Sequence, residues 1–266
     1  MPERENDDLN EGPKRRIRLT VAYEGTDYLG WQYQPNGPTV QGSLEGALSE
    51  VLSESIRVTG AGRTDAGVHA LGQVAHFDTD SRLGSEVIER ALNARLPRDI
   101  RVREVKETGS DFHARYSASA KFYRYRLADN RLPESVLLRR TNWVRSTEFD
   151  RPELLQECAA LLAGEHDFFT FSKSETHRRH HLCEVFRADW VVEQGKFAFG
   201  IEANRFLRRM VRMLVGAMLA VAEERTGLED FRRGIEVPGR LPQAVPAPSA
   251  GLTLVRVEYP DGLSKS

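Results

Sequence analysis

The spacing of hydrophobic residues changes along the chain in an order that occurs twice, and this order constrains the fold most strongly. In the first half, alternating apolar residues from Ile17 predict a strand, and helical spacing from Val40 predicts a helix. Two short strands around 56–59 and 73–78 follow. A second helix capped by Ser85 and a strand in DIRVREV complete a β-α-β-β-α-β order.

The second half repeats that order without obvious sequence similarity. It has predicted strands at 121–127, 184–192, 197–203 and in GLTLVRVEY, and Gly195 marks a hairpin between the middle two. One helix starts at Pro152, and a long helix runs from Asn204 to Arg225 and stops before Gly227.

These two patterns predict an α+β fold of two ferredoxin-like β-α-β-β-α-β units, with mostly antiparallel sheets and helices packed on the sheets. We expect a disordered acidic leader at 1–15, an amino-terminal unit at 16–112, a carboxy-terminal unit at 113–260 and a tail at 261–266.

Composition points to an ordinary globular protein and excludes two classes of protein. The chain has 266 residues, of which 40% are hydrophobic, and no apolar run approaches the length that spans a bilayer. The start, MPERENDDLNEG, has no hydrophobic signal region, and the two cysteines, Cys158 and Cys183, are too few for a disulfide framework. We therefore expect a cytoplasmic protein without a membrane partner.

The stretch GRTDAGVH at 62–69 holds one aspartate, Asp65, between glycines and two residues after Arg63. Glycine is used where backbone bends sharply or approaches another group closely. The spacing of its glycines does not match a dinucleotide loop, and no phosphate-loop Gly-Lys-Ser/Thr follows. A metal site would have one lone further candidate ligand, His69. On these eight residues alone, a turn is the simpler interpretation and a catalytic carboxylate the alternative.

Two further stretches combine cations with apolar or aromatic residues. DFHARYSASAKFYRYRLAD has cations interleaved with aromatic rings, at Arg115, Lys121, Arg124 and Arg126. Such a pattern is typical of phosphate contacts with base stacking, although an ordinary strand with aromatic core residues explains it as well. In ANRFLRRMVRMLVGAMLAV, helical spacing places Arg205, Arg209 and Arg212 along one edge of the predicted long helix, where an anion would relieve their repulsion.

A fourth stretch, HRRHHLCEVF, concentrates His177, His180, His181 and Cys183. These side chains can ligate a soft metal, but they do not match a recognised finger or enzyme spacing. A cationic loop near RNA and a plain solvated loop remain equally good interpretations of this segment.

Taken together, these stretches resemble the TruA-type tRNA pseudouridine synthases. The resemblance covers residues 16 to 259, and its most specific motif is GRTDAGVHA. The other segments corroborate it by their order and spacing: YEGTDYLGWQYQPNGPTVQGSLEGAL, DFHARYSASAKFYRY, NRFLRRMVRMLVG and APSAGLTLVRVEY.

The resemblance implies an isomerase that turns uridine into pseudouridine at positions 38, 39 and 40 of the anticodon stem-loop. It also implies a tRNA partner, a homodimer, and neither a cofactor nor a metal. One departure is local: many members of the family carry an arginine shortly before the strand at 184–192, where this chain has HLCEVF. That difference concerns tRNA contacts and none of the implied catalytic positions.

The resemblance assigns roles to five residues. Asp65 matches the catalytic nucleophile, and Arg63 matches an arginine that helps to extrude the target base. Tyr123 matches the tyrosine that packs on the uracil, and its hydroxyl is a candidate to assist proton removal. Arg212 matches the arginine that pairs with the aspartate, and Leu252 matches an apolar wall of the base pocket.

Overall fold

The computed structural model describes residues 14–173, 181–193, 196–239 and 245–260. Within these ranges, ten strands belong to one sheet: β1 (Arg15–Tyr23), β2 (Thr59–Gly60), β3 (His69–Thr79), β4 (Ile100–Thr108), β5 (Ala120–Asp129), β6 (Trp143–Arg145), β7 (Gly164–Asp167), β8 (Leu182–Glu193), β9 (Lys196–Ala203) and β10 (Leu252–Glu258). The α-helices of the described ranges are α1 (Val40–Leu52), α2 (Ser85–Arg95), α3 (Ser135–Leu138), α4 (Glu153–Ala160), α5 (Met210–Ala222) and α6 (Leu228–Glu236). Short 3₁₀ turns lie at Phe169–Phe171 and Ser249–Gly251.

The sheet runs in the order β4-β1-β3-β10-β5-β9-β8-β7, with β2 also paired to β3 and β6 to β5. All pairs are antiparallel except β10 with β3 and β5 with β6. The predicted mixed fold with mostly antiparallel pairing is therefore confirmed. The two halves share one sheet because β10 pairs with both of them, which leaves neither half with an open edge at their junction.

Alternation of apolar and polar residues accounts for β1, and a capped first turn with one apolar face accounts for α1. Ile17, Leu19 and Val21 are fully buried, and the intervening side chains of β1 are partly exposed. In α1, the Thr39 hydroxyl accepts a hydrogen bond from the Gly42 amide at 3.2 Å, which caps the first turn. The apolar face of α1 then joins the core of the first half through Leu44 and Leu48.

The predicted long helix from Asn204 is wrong at both ends. The Asn204 amide donates to the Glu184 carbonyl at 3.0 Å, and the Asn204 side-chain oxygen accepts from the Glu184 amide at 3.1 Å. Asn204 therefore continues the contact between β8 and β9. Arg209 adopts a positive φ of 62°, which a helix interior excludes, and α5 starts at Met210. The arginines at 205, 209 and 212 therefore do not form one helix edge.

The carboxy-terminal end of that prediction also differs from the structure. Helix α5 ends at Ala222, and Glu224 follows it with a positive φ of 51°. Gly227 then starts a separate helix, α6, in which the Asp230 carboxylate accepts from the Gly227 amide at 3.4 Å. The prediction extended the first helix three residues too far, to Arg225, and contained no counterpart of α6.

Smaller boundary predictions also need correction. Ser85 is the first residue of α2, and Gly84 occupies the cap position without a side chain to donate or accept. The strand predicted at 56–59 is reduced to β2. Arg15, placed in the disordered leader by the prediction, already lies in β1 and forms an ion pair with Glu107 at 2.7 Å. Residues 1–13 of that leader, the hairpin glycine at 195 and the tail at 261–266 lie outside the described residues.

Candidate active site

Asp65 lies in the loop between β2 and β3, and buried polar groups fix that loop. The side-chain amide of Gln73, fully buried on β3, accepts from the Gly62 amide at 3.3 Å and donates to the Gly62 carbonyl at 2.7 Å. The Trp31 amide donates to the Thr64 carbonyl at 3.1 Å, and the Tyr23 and Thr64 hydroxyls are 2.8 Å apart. The backbone on the amino-terminal side of Asp65 is thus bonded to the core.

Two glycines allow the loop to close against its neighbours. Gly67 has a φ of 76°, and a β-carbon there would lie 2.5 Å from the Ser249 hydroxyl. Gly30 has a φ of 99°, and its β-carbon would lie 2.6 Å from the Thr64 carbonyl oxygen. Both positions combine a left-handed conformation with a close approach, so that glycine alone fits without strain. Gly67 also brings the Asp65 loop against the second half of the chain.

Arg212, on the first turn of α5, contacts Asp65 across 147 residues of sequence. Its Nη1 lies 3.4 Å from Asp65 Oδ2, and its Nε donates to the Ala247 carbonyl at 2.6 Å. The Arg212 side chain is 14% exposed and that of Asp65 is 28% exposed. Burial lowers the pKa of Arg212 from its ordinary value, and the nearby Asp65 opposes that shift. The guanidinium therefore orients one oxygen of the carboxylate and leaves the other toward the cleft.

Tyr123, on β5, packs close to the same loop. Its side chain is 7% exposed, and its ring meets Phe206 edge to face at a centroid distance of 4.9 Å. A β-carbon on Gly62 would lie 3.8 Å from the Tyr123 hydroxyl oxygen. Burial, with Tyr23 and Asp65 nearby, raises the pKa of Tyr123 above its ordinary value. Its phenol is therefore protonated at neutral pH and is able to donate a hydrogen bond.

These residues border one cleft of about 1230 Å³. Asp65 is the one acid among its lining residues within the described ranges, and Leu252, 6% exposed, forms part of its wall. The cations that line it are Arg63, Arg115, Lys121, Arg205, Arg208 and Arg209. A surface with six cations around one carboxylate attracts a polyanion and presents the carboxylate to it.

Comparison with known proteins identifies the family to which this site belongs. The tRNA pseudouridine synthase family matches residues 19–117 and 158–260. The chain belongs to that family. A tRNA pseudouridine synthase A of Chlorobium luteolum is 44% identical over 248 residues, which are 93% of this chain and 96% of that protein. Its counterpart in Bacteroides thetaiotaomicron is 40% identical over 252 residues, which are 94% and 92% of the two chains.

Similarity to solved structures is low. An H/ACA ribonucleoprotein bound to a substrate RNA containing 2'-deoxyuridine matches 76% of this chain and 43% of its own, with 13% identity and a TM-score of 0.32. The family assignment depends on the sequence matches.

Four of the residues named from the resemblance to this family line the cleft: Arg63, Asp65, Tyr123 and Leu252. The fifth, Arg212, lies behind Asp65. The basic and aromatic stretch divides between two sides of the sheet. Its Arg115, Tyr116 and Lys121 line the cleft, whereas Arg124 lies over the Phe122 ring at 5.5 Å and is not part of the lining.

The metal interpretation of the Asp65 motif is not supported by the bonds of His69. Its Nδ1 accepts from the Gly25 amide at 3.0 Å, and its Nε2 lies 3.0 Å from the Ala250 carbonyl. Burial lowers the pKa of His69, so that the ring is neutral and Nε2 carries the donated proton. His69 therefore links the two halves of the chain and has no nitrogen free for a metal.

The histidine-rich segment lies partly outside the described residues, which do not include His177 and His180. His181 is buried, its ring meets Phe169 at a centroid distance of 5.0 Å, and burial raises the pKa of the Cys183 thiol to about 11. In the described part of the chain, no three His, Cys, Asp or Glu residues are grouped as metal ligands, and no helix there is both long and apolar enough for a bilayer.

Sequence reasoning did not identify the residues that hold the Asp65 loop, Gln73 and Trp31 among them. Trp31 lies in one of the stretches that carry the resemblance, and Gln73 lies three residues after GRTDAGVHA, but neither side chain is charged. The signal that could have found Gln73 is its amide beside the apolar residues Val74 and Ala75 in the middle of a strand, because a buried amide requires hydrogen-bond partners.

Proposed function

We propose that this protein isomerises uridine to pseudouridine at positions 38–40 of the tRNA anticodon stem-loop, with Asp65 as its nucleophile. The observation that carries the proposal is the single acid among six cations in the described lining of the cleft, in contact with Arg212. The family and the names of the relatives supply the reaction and the class of RNA.

The reaction needs a carboxylate and no redox partner. The bond between N1 of the base and C1′ of the ribose breaks, the uracil rotates, and a new bond joins C5 to C1′. C5 loses a proton and N1 gains one, so that substrate and product have the same atoms. An ionised Asp65 can hold the detached intermediate as a covalent adduct, by attack on C1′ or C6, or can act as a base toward a glycal. We expect no metal or cofactor in any of these routes.

Extrusion of the target base is a physical requirement, since neither C1′ nor C5 is accessible within a stacked stem. Arg63 is exposed at the cleft and is free to occupy the space that the base leaves. We assign the uracil face to the Tyr123 ring and one wall of its pocket to Leu252. Because the pKa of Tyr123 is raised, its hydroxyl keeps its proton at neutral pH and can donate a hydrogen bond to the substrate.

The same proposal includes the partner and the domain organisation. The six cations of the cleft support binding of tRNA phosphates, and we expect a homodimer in the cytoplasm. The order β4-β1-β3-β2 in the first half and β10-β5-β9-β8 in the second supports two ferredoxin-like units, 16–112 and 113–260. Each order places the fourth, first, third and second strand of its β-α-β-β-α-β unit side by side.

Tritium release from tRNA labelled at C5 of uridine tests the proposal, because formation of the C5–C1′ bond expels that hydrogen. We expect release by the wild-type protein and none by Asp65→Asn. The matched control is Asp80→Asn, which removes an exposed carboxylate outside the cleft and is expected to retain wild-type release.

Two results would contradict the proposal in different ways. Release by Asp65→Asn at the wild-type rate excludes Asp65 as the nucleophile. RNA binding by the wild type without any release makes the chain an RNA-binding module. Mapping pseudouridine at positions 38, 39 and 40 in tRNA from cells that lack the protein identifies the modified sites.

A further inference from the structure

Lys121 is placed beside the reaction site without a role in the mechanism above. It lies on β5 two residues before Tyr123, on the same face of the strand, so that their α-carbons are about 7 Å apart. Its side chain is partly buried and lines the cleft that contains Asp65.

The groups that face Lys121 are cations. Arg115, from the segment before β5, and Arg205, from the segment before α5, both act on it electrostatically and line the same cleft. No carboxylate of the described residues lies within 4.0 Å of the charged groups of Lys121, Arg115 or Arg205. Tyr116, with Arg115 over its ring at 5.7 Å, and Tyr123 are the tyrosines that line this part of the cleft.

Several basic residues elsewhere in the described chain have acidic partners. Lys106 lies 2.5 Å from Glu104, Lys196 lies 3.0 Å from Glu134, and Arg256 bonds to Glu202 at 2.8 Å. The repulsion among Lys121, Arg115 and Arg205 therefore has no internal compensation in the described structure. Like charges held together in this way form a preorganised site for an anion, since the anion removes the repulsion when it binds.

We propose that Lys121, Arg115 and Arg205 bind one backbone phosphate of the substrate RNA next to the target uridine, and that Lys121 is held protonated by this contact. The inference rests on the proposed function for its substrate, an RNA. The distance along β5 supports the position of the phosphate, because Tyr123 is assigned to the uracil and Lys121 lies two residues away. The three side chains line the same cleft, and Arg115 and Arg205 are close enough to act on Lys121 electrostatically, so that one phosphate group can contact more than one of them.

The chemistry predicts a pH dependence with a definite sign. Burial, together with Arg115 and Arg205, lowers the pKa of Lys121 to about 8 in the free protein. A bound phosphate favours the ammonium form and raises that pKa in the complex. RNA affinity is therefore constant below about pH 8 and falls as the pH rises above it, because binding then requires uptake of a proton. Arginine remains charged over this range and contributes no such dependence.

The test measures dissociation constants between pH 6.5 and 9.5 at constant salt, with an anticodon stem-loop whose target uridine is replaced by cytidine. Lys121→Met is expected to bind roughly tenfold more weakly than wild type at pH 7 and to lose the pH dependence. Lys121→Arg keeps a charge at every pH and is expected to bind tightly with a flat profile. Lys106→Met, a cation removed from a far strand, is the control and is expected to follow the wild-type profile.

A second arm locates the phosphate. Stem-loops that carry one neutral methylphosphonate each are compared, and replacement beside the target is expected to weaken wild type roughly tenfold without weakening Lys121→Met further. A wild-type pH profile in Lys121→Arg, or equal losses in both proteins at every methylphosphonate position, would overturn the inference. If Lys121→Met fails to fold, the profile of Lys121→Arg decides the question by itself.

Failure of this inference is distinguishable from failure of the proposed function. If the wild type releases tritium and the Lys121 variants bind RNA with the wild-type affinity and pH profile, the phosphate subsite is excluded and the isomerase activity is not. Loss of pH dependence in Lys121→Arg, without tritium release by wild type, supports the subsite in a protein that only binds RNA. Absence of RNA binding by wild type overturns both.

Discussion

Removal of the Arg212 guanidinium tests how the Asp65 carboxylate is oriented. Arg212→Met keeps much of the side-chain volume while it removes the 3.4 Å contact with Asp65 and the 2.6 Å bond to Ala247. A hydrogen bond between charged groups contributes about 2–3 kcal/mol when it is largely shielded from water. If that free energy holds Asp65 in its reactive position, the rate constant falls about 30- to 150-fold, since each 1.36 kcal/mol is a factor of ten.

Single-turnover tritium release gives the rate constant, and filter binding of the stem-loop gives the affinity. We expect the affinity of Arg212→Met to change less than threefold, because the side chain is only 14% exposed and lies behind Asp65. Arg209→Met is the matched control, since Arg209 lines the cleft without contacting Asp65. That control is expected to lose affinity and to retain the rate constant at saturating RNA.

Equal losses of rate and affinity in Arg212→Met would refute the reasoning and make Arg212 a phosphate contact. Unfolding of the variant would also lower the rate, and urea denaturation distinguishes unfolding from lost orientation of Asp65 and from a lost phosphate contact. The Ala247 carbonyl loses one donor in the variant, so a decrease of about 1–3 kcal/mol in the free energy of unfolding is expected in addition.

Two further predictions concern stability. Gly67→Ala is expected to lower the free energy of unfolding by at least about 1–2 kcal/mol, because it combines a positive φ with a contact of 2.5 Å to Ser249, whereas Gly46→Ala, in an open position of α1, should raise it by about 0.5–1 kcal/mol. Urea denaturation of both variants checks this, and equal effects would contradict it. Burial, with Arg16 and His113 nearby, lowers the pKa of His76 to about 4. The unfolded chain, where histidine has an ordinary pKa of about 6.5, therefore binds more protons, and stability should fall as the pH drops from about 6.5 to about 4. His76→Gln should show a shallower decrease in the same unfolding series, and an unchanged slope would exclude His76 as its source.

Elements with a clean periodic pattern could be predicted from the sequence. Strand β1 and helix α1 have strict apolar spacing and few competing contacts, and both occur where the pattern placed them. The Asp65 site was reached through its motif and the resemblance of the whole chain, since the eight residues around it, taken alone, favoured a turn. Its pairing with Arg212 came from that resemblance too, because no local pattern relates residues 147 apart.

Elements decided by tertiary contacts could not be predicted in this way. Helical spacing continues through Phe206, yet the chain from Asn204 to Arg209 follows its bonds to Glu184 and a left-handed residue instead. Local propensity is too weak to oppose such contacts. The partner of Gln73 could not be predicted for a related reason, since its two bonds to Gly62 depend on how β3 lies beside the loop.

The parallel pairing of β3 with β10 has a consequence for synthesis of the chain. Thr253 pairs with His69 and Leu254 with Ala70, and Leu252 belongs to the same strand. Of the described strands, β10 is synthesised last, so a nascent chain stopped before residue 252 contains Asp65 and Arg212 but lacks the strand that joins their halves. Contacts of such high sequence separation form late in folding. The cleft around Asp65 is therefore assembled only after β10 has been synthesised, and shorter nascent chains do not possess it.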